Sequence, residues 1–412
     1  MSLTAVHRAF LDWFGAEYDL AAINAVLATA AAQRLDGDPL WLLLISGSGN
    51  AKTETVSALA GSGALVTSTI TSEGALLSGS PKREQAKDAS GGLLQRIGKS
   101  GVLIIKDVTS ILSADRNSRS GVLAAFREIH DGRWERNVGT DGGRTLTWTG
   151  RIAVIGACTT AWDRAHDVIA SMGDRFVVVR IDSNIGRMSA GYKAMANVGA
   201  ETRMREALSV VVAEALSRID ARGAISLHPD ETDQILAAAN VVTLCRTGVD
   251  FDYRGDVIDA HQPEAPTRFA KQLVQMMRGA CALGIARTDA LHLALRCARD
   301  SMPPLRLAIL EDVAANPRAK TREVRQRINK PKSTVDRQLQ ALHMLDVLDC
   351  EEVEIGERSS WYYSVRPEID VSAIAVPDLL LPTKWKNKEV EAPTHISGTS
   401  RSTLEPVARF VG

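Results

Sequence analysis

A strand that runs straight into a polar glycine loop and then into a helix constrains this chain more than any other feature. Trp41-Leu-Leu-Leu-Ile45 is a short apolar run closed by Ser and Gly, which reads as a buried strand. Ser46-Gly-Ser-Gly-Asn-Ala-Lys-Thr53 comes next. It follows the phosphate-loop pattern G-x-x-x-x-G-K-[ST], with Ser46 and Ala51 in place of the two glycines. Gly47 and Gly49 still permit a tight turn, so that the backbone N–H groups from Gly47 through Ser48, Asn50 and Ala51 can face phosphate oxygens. A helix starting near Lys52 adds its positive end. Lys52 would reach the terminal phosphates of ATP, and the Thr53 hydroxyl would ligate Mg²⁺. The plainer reading is a Gly/Ser turn between a strand and a helix that happens to contain Lys-Thr.

Further apolar runs at 102–105, 152–156 and 176–181 read as buried strands alternating with helices, which predicts an α/β fold whose parallel sheet is covered on both faces. The second of the four runs ends at Lys106-Asp107. Acidic residues are expected there, to hold Mg²⁺ and polarise a water. Only one carboxylate is present, so Asp107 is the candidate either to hold the metal or to polarise the water, hardly both in the usual manner, and Lys106 stands where an acid is expected. Residues 134–138 and 144–149 flank Gly139-Thr-Asp-Gly-Gly143, a hairpin signal, and carry Arg133, Arg136 and Arg144 beside Trp134 and Trp148.

The pattern divides the chain into five parts. Residues 1–35 suggest two short N-terminal helices, and 36–190 hold the strands. Residues 191–302 are helical by periodicity, and Pro303-Pro304 then breaks the chain. Residues 303–368 read helix, helix, helix, hairpin. Residues 369–412 are Pro-rich, basic at 384–388, and read as an extended or disordered tail. Formal net charge is zero, so a polyanion partner must be met by a local patch. The five cysteines show no metal or redox spacing and fit scattered thiols in a reducing compartment. Asp12, Glu17 and Asp19 argue against a signal peptide, and no apolar run reaches the ~18 residues of a membrane span, so a soluble cytoplasmic protein is expected.

The 303–368 segment resembles a winged helix-turn-helix. Thr321 is a candidate N-cap for its second helix and Ser333 for its third, which is expected to run through Leu348. Residues 318–337 carry eight bases against Glu323 and Asp336, a net charge of +6. A recognition helix presents its N-terminal residues to the major groove. Lys332, Ser333, Thr334 and Arg337 are therefore base-edge candidates, with Lys330 and Arg358 on phosphate. A winged helix that binds protein, with a solvated basic face, is the alternative.

From Gly49 onward the loop resembles the minichromosome maintenance (MCM) branch of AAA+ ATPases, which carries Ala before the phosphate-loop lysine. Gly101-Val-Leu-Ile-Ile-Lys-Asp-Val108 is similar to that branch's acidic strand, with its metal-holding Asp falling on Lys106 and its catalytic Glu on Asp107. The 134–149 hairpin followed by Ile152-Ala-Val-Ile-Gly-Ala-Cys-Thr-Thr160 is similar to its pre-sensor hairpin and sensor strand, with Thr159 or Thr160 replacing the sensor Asn. Met172-Gly-Asp-Arg-Phe176 looks like the segment holding the arginine finger, which gives Arg175 that role in a neighbour's site. Ala265-Pro-Thr-Arg-Phe269 looks like the start of the helix that contacts the γ-phosphate, which gives Arg268 the second-sensor role. Surface or strand-end ion pairs are the alternative for both arginines.

The resemblance implies an AAA+ P-loop core, a helical lid over 191–302, ATP-Mg²⁺ as ligand, and assembly into a homo-oligomeric ring or arc acting on DNA. Replication or maintenance of a mobile element or chromosome is the expected setting, with a replication protein as a possible partner. Arg136 and Arg144 would then grip DNA in a central channel, or the hairpin simply packs its two Trp on the core. With only about 35 residues before the core, there is no room for the branch's large N-terminal DNA-binding module. Two other readings stay open: a nucleotide-gated DNA-binding regulator with little hydrolysis, favoured by Lys106, and a helicase-loading factor whose winged helix docks a partner.

Overall fold

The computed structural model describes residues 2–79, 91–139, 142–165, 175–220, 225–355 and 358–377. Five parallel strands form the central sheet: β1 (Leu42–Ile45), β2 (Leu65–Thr67), β3 (Ser100–Ile105), β6 (Arg151–Cys158) and β7 (Val177–Arg180), in the order β2-β3-β6-β1-β7. The four apolar runs of the sequence are all strands of this sheet. β2 adds an edge strand that is only three half-buried residues long, too short to leave a pattern.

Alternate side chains of each strand serve opposite faces, as strand geometry requires. Leu42, Leu44, Ile104, Ile155, Ala157, Val177 and Val179 join one apolar cluster, and Trp41, Leu43, Ile45, Leu103, Ile105, Val154 and Val178 join another. The first cluster continues through the N-terminal helices Leu3–Phe14 and Leu20–Ala32 into the helices Thr267–Ala282 and Arg287–Asp300. The Leu20–Ala32 helix is buried almost all round, from Ala21 to Ala32 apart from a half-buried Asn24. Its small side chains let the Thr267–Ala282 helix come close, and Gly279 lies so near the Ala28 carbonyl that a Cβ there would stand 2.0 Å from that oxygen. The N-terminal segment is thus part of the core.

On the second face Trp41 is fully buried and donates from Nε1 to the Ile152 carbonyl at 2.9 Å. Its ring meets Phe126, His130 and Phe176 with centroids 5.2–5.5 Å apart. His130 ends the Arg116–His130 helix. β4 (Arg133–Val138) and β5 (Arg144–Thr149) pair antiparallel over the same face.

The 191–302 segment is not all helical. After the Pro229–Cys245 helix, β8 (Val249–Phe251) and β9 (Val257–Ala260) form a small hairpin, whose three- and four-residue strands are too short to register as a period. Three helices, Pro304–Ala315, Thr321–Arg327 and Lys332–Met344, then lead into the antiparallel pair β10 (Leu348–Ile355) and β11 (Arg358–Val365). The caps differ from those expected. Lys320 is the N-cap of the second helix, where Glu323 accepts its backbone N–H at 2.9 Å, and Pro331 caps the third, which stops at Met344. Residues 369–377 are not a loose tail, because Ile369, Ala373 and Ile374 are buried against the core. Residues 378–412, including the basic stretch at 384–388, lie outside the described residues.

Burial pushes the His130 imidazole down to about 4, with Arg175 and Arg268 adding to the effect and Asp131 opposing it. The unfolded chain, with a value near 6.5, takes up the proton first as pH falls. Stability from neutral His130 is complete above pH ~6.5 and is lost between there and pH 4. Between pH 7.5 and pH 5 the loss should be about 2 kcal/mol, measured by urea unfolding, and His130→Gln should remove that part of the pH dependence.

Candidate nucleotide-binding site

β1 lies between β6 and β7, while the chain leaves it toward β2 on the far side of β6. This is the switch point of the sheet, and ligands of open α/β sheets bind in the crevice outside the strand ends at such a point. The loop Ser46–Ala51 emerges there, and the helix Lys52–Ser57 follows. The Ser46 N–H donates to the Cys158 carbonyl at 3.3 Å, and the Gly47 N–H donates to the Ser183 hydroxyl at 3.0 Å. A Cβ on Gly47 would lie 2.6 Å from that hydroxyl, so a larger residue there would have to displace the Ser183 side chain. Gly49 and Ala51 take left-handed backbone, φ 78° and 51°. For Ala51 this conformation costs on the order of 1 kcal/mol, a strain held where the loop turns into the helix.

Lys52 is 8% exposed, and its ammonium donates to the carbonyls of Ser46 at 3.2 Å and Gly47 at 2.5 Å. Burial lowers its pKa, with Cys158 and Asp107 opposing. Ser48, Gly49 and Thr53 are exposed, and Asn50 is half-buried with its Nδ2 donor sealed from solvent and lacking a hydrogen-bond partner. That orphan donor fits a loop made to meet an acceptor-rich ligand.

The sensor and acidic candidates come to the same end of the sheet. The Thr109 hydroxyl receives the Thr159 N–H at 3.1 Å and lies 3.3 Å from the Thr159 hydroxyl. Asp107 is exposed and accepts the Thr109 N–H at 2.9 Å. Thr160 is exposed at the start of the short helix Ala161–Arg164. Thr53 and Asp107 both present exposed oxygens, and a Mg²⁺ that keeps waters and phosphate oxygens needs few protein ligands.

Beside the loop opens a cavity of about 960 Å³, walled by Trp13, Phe14 and Tyr18, by Asp182, and by the Arg187–Ala196 helix. The Tyr18 hydroxyl lies 2.8 Å from the Thr55 hydroxyl, which ties the N-terminal segment to the phosphate-loop helix, and burial pushes the phenol's pKa up. Arg296, 1% exposed, also borders the cavity, where it binds both oxygens of Asp19 at 2.8 and 2.5 Å and the Arg180 carbonyl at 2.8 Å. Arg180 continues the chain with a two-pronged contact to Asp163 at 3.0 and 2.7 Å. None of these cavity residues stood out in the sequence, since a lone Tyr, Asp or Arg in a helical stretch carries no motif.

Arg175 and Arg268 meet each other, not Lys52. Arg175 precedes β7 at the strand-entry end, 3.8 Å from Asp131, and its carbonyl accepts from Gln272 at 2.6 Å. Arg268 pairs with Glu264 at 2.6 Å, and burial together with Arg268 lowers the Arg175 pKa. Residues 172–174 of the finger segment lie outside the described residues. Arg136 and Arg144 share the hairpin face that carries the buried Trp134 and Trp148. Arg136 donates to the Leu77 carbonyl at 2.9 Å, and Arg144 lies against Gly79. Both arginines are half-buried and reach the 73–79 segment.

In the C-terminal unit Lys330, Lys332, Ser333 and Thr334 are all exposed at the start of the Lys332–Met344 helix. Arg337 is not available in the same way, since its guanidinium donates to the Arg254 carbonyl at 2.6 Å and lies against Gly255 of the β8–β9 hairpin. The side chain of Arg358 lies outside the described residues.

No protein family and no curated protein matches the chain. Solved structures that overlap it loosely include two that span most of the chain. One, described as SCCmec type IV Cch, an active helicase, has a TM-score of 0.37 and 8% sequence identity, covering 91% of this chain and 71% of that one. The other, the A form apo structure of the NrS-1 C-terminal region, has a TM-score of 0.25 and 10% identity, covering 88% and 76%. Among the described residues no helix is long and apolar enough to cross a membrane.

Arg296→Met should destabilise the fold by about 3–5 kcal/mol, because it leaves the buried Asp300, 3.5 Å from the guanidinium, and the half-buried Asp19 without their cation. A shift of the urea midpoint worth less than about 1 kcal/mol would mean that water reaches both carboxylates.

Proposed function

We propose that this chain is an MCM-like AAA+ protein that binds ATP with Mg²⁺ and acts on DNA. The observation that carries the reading is the convergence of Lys52, Thr159 and Asp107 at the switch point of the sheet, beside an aromatic-walled cavity large enough for a nucleoside. In this reading the N–H groups of Gly49 to Thr53 and the Asn50 amide hold the phosphates, and Lys52 turns from the loop carbonyls to the terminal phosphates. Thr53 and Asp107 hold Mg²⁺, Thr159 or Thr160 orients the γ-phosphate, and Trp13, Phe14 and Tyr18 receive the base. Arg175 acts as the finger on the nucleotide of a neighbouring copy in a ring or arc.

The 303–368 unit acts as a winged helix-turn-helix on DNA. Lys330 and Lys332 contact phosphate, and Ser333 and Thr334 reach base edges. Replication of a mobile element or chromosome, in the cytoplasm, is the setting this reading fits.

A second reading is favoured by one observation. Lys106 is half-buried next to Asp107, in the place of a second acid. An ammonium there replaces part of the metal's charge without organising a water, which suits a nucleotide-gated DNA-binding regulator.

Purified protein should hydrolyse ATP faster with DNA, and both Lys52→Ala and Asp107→Asn should abolish the turnover. Nucleotide binding without turnover would instead establish the gated regulator. Lys330→Ala with Lys332→Ala should weaken DNA binding and reduce the salt slope by about one for each phosphate no longer neutralised. Arg136→Ala with Arg144→Ala should leave that slope unchanged. A slope untouched by the lysine pair would remove the C-terminal unit from the DNA interface.

A further inference from the structure

The cavity beside the phosphate loop contains a buried acceptor that the protein does not use. Asp182 follows β7 and borders the cavity. Its Oδ1 accepts from the backbone N–H of Asn184 at 2.9 Å and from the Asn184 side-chain amide at 2.5 Å. Its Oδ2 is sealed from solvent and has no hydrogen-bond partner. A buried carboxylate oxygen left in this condition costs stability, unless something that enters the site supplies a donor.

Its place along the site identifies that donor. The next residue, Ser183, receives the Gly47 N–H, so Asp182 stands one residue from the point where the phosphate loop begins. In a nucleoside triphosphate the sugar lies between the phosphates and the base. With the phosphates on Gly49–Thr53 and the base among Trp13, Phe14 and Tyr18, the sugar falls beside the loop. An ionised carboxylate can only accept, and the ribose hydroxyls are donors.

We propose that Asp182 accepts a hydrogen bond from the ribose 2′-hydroxyl, so that the site selects ribonucleoside over 2′-deoxyribonucleoside triphosphates. The proposal rests on the nucleotide-binding reading and adds a selectivity to it. A site built to bond a hydroxyl rejects the analogue that lacks it, because the buried acceptor is again left unpaired.

The test measures equilibrium binding of ATP, 2′-deoxy-ATP and inosine triphosphate, each with Mg²⁺, to the full chain by calorimetry. The wild type should bind ATP about tenfold or more tightly than 2′-deoxy-ATP. Asp182→Ala should bring ATP down to the level of 2′-deoxy-ATP and leave the affinity for 2′-deoxy-ATP nearly unchanged. Asp182→Asn keeps the side-chain volume, serves if the alanine variant unfolds, and should lose at least several-fold of the preference. Equal binding of ATP and 2′-deoxy-ATP by the wild type overturns the proposal, as does a preference that survives either substitution. A preference for ATP over inosine triphosphate that disappears in the variants, with 2′-deoxy-ATP indifferent throughout, also overturns it by moving the carboxylate to the base. Failure of the wild type to bind any of the three refutes the nucleotide reading itself, a result distinct from binding without sugar selectivity.

Discussion

The fold depends on the close seating of one alanine-rich helix between the sheet and the helical segment. Leu20–Ala32 is buried from Ala21 to Ala32 apart from a half-buried Asn24, and Gly279 of the Thr267–Ala282 helix approaches the Ala28 carbonyl too closely to admit a side chain. Helices built from such residues stabilise each other through dispersion at short range, and each atom contributes little. The sum holds only if the contact is continuous. Asp19 fixes the near end of that helix, accepting the Ala21 and Ala22 N–H groups while it binds Arg296. One carboxylate therefore caps the central helix and anchors the floor of the cavity.

That arrangement explains how a loop lacking both pattern glycines keeps its form. Ser46 is held by Cys158 at the end of β6 and Gly47 by Ser183 in the segment after β7, so the loop is clamped from both sides. Ala51 is kept at positive φ by its surroundings, without the freedom a glycine would bring. The chemistry of the site is correspondingly lean. Lys52 and Lys106 bring two cations to the ends of β1 and β3, where β3 is followed by the carboxylate of Asp107.

Much of the architecture was legible because buried strands betray themselves as apolar runs. The four runs beginning at Trp41, Val102, Ile152 and Phe176 are strands of the sheet, and the Gly139–Gly143 turn signal stands between paired strands. Short elements escaped, since β2, β8 and β9 hold three or four residues and cannot display a period. The loop from Gly47 to Thr53 was legible as a motif, but its surroundings were not. Tyr18, Asp182, Ser183 and Arg296 reach it from separate stretches of chain, and their roles arise only from tertiary packing. Arg337 and Arg136 show the reverse limit. A basic residue in a promising register was readable, but the carbonyl that engages its guanidinium was not.

The hydrogen bond from Arg337 to the Arg254 carbonyl has a mechanical consequence. It pins the Lys332–Met344 helix to a hairpin rooted directly beyond the Pro229–Cys245 helix, and Arg306 adds a second rivet by donating to the Cys245 and Thr247 carbonyls at 2.9 and 2.6 Å. The C-terminal unit is therefore not a passenger on a swivel. The basic helix start at Lys330–Thr334 is tied in position to the β8–β9 hairpin and to the end of the Pro229–Cys245 helix.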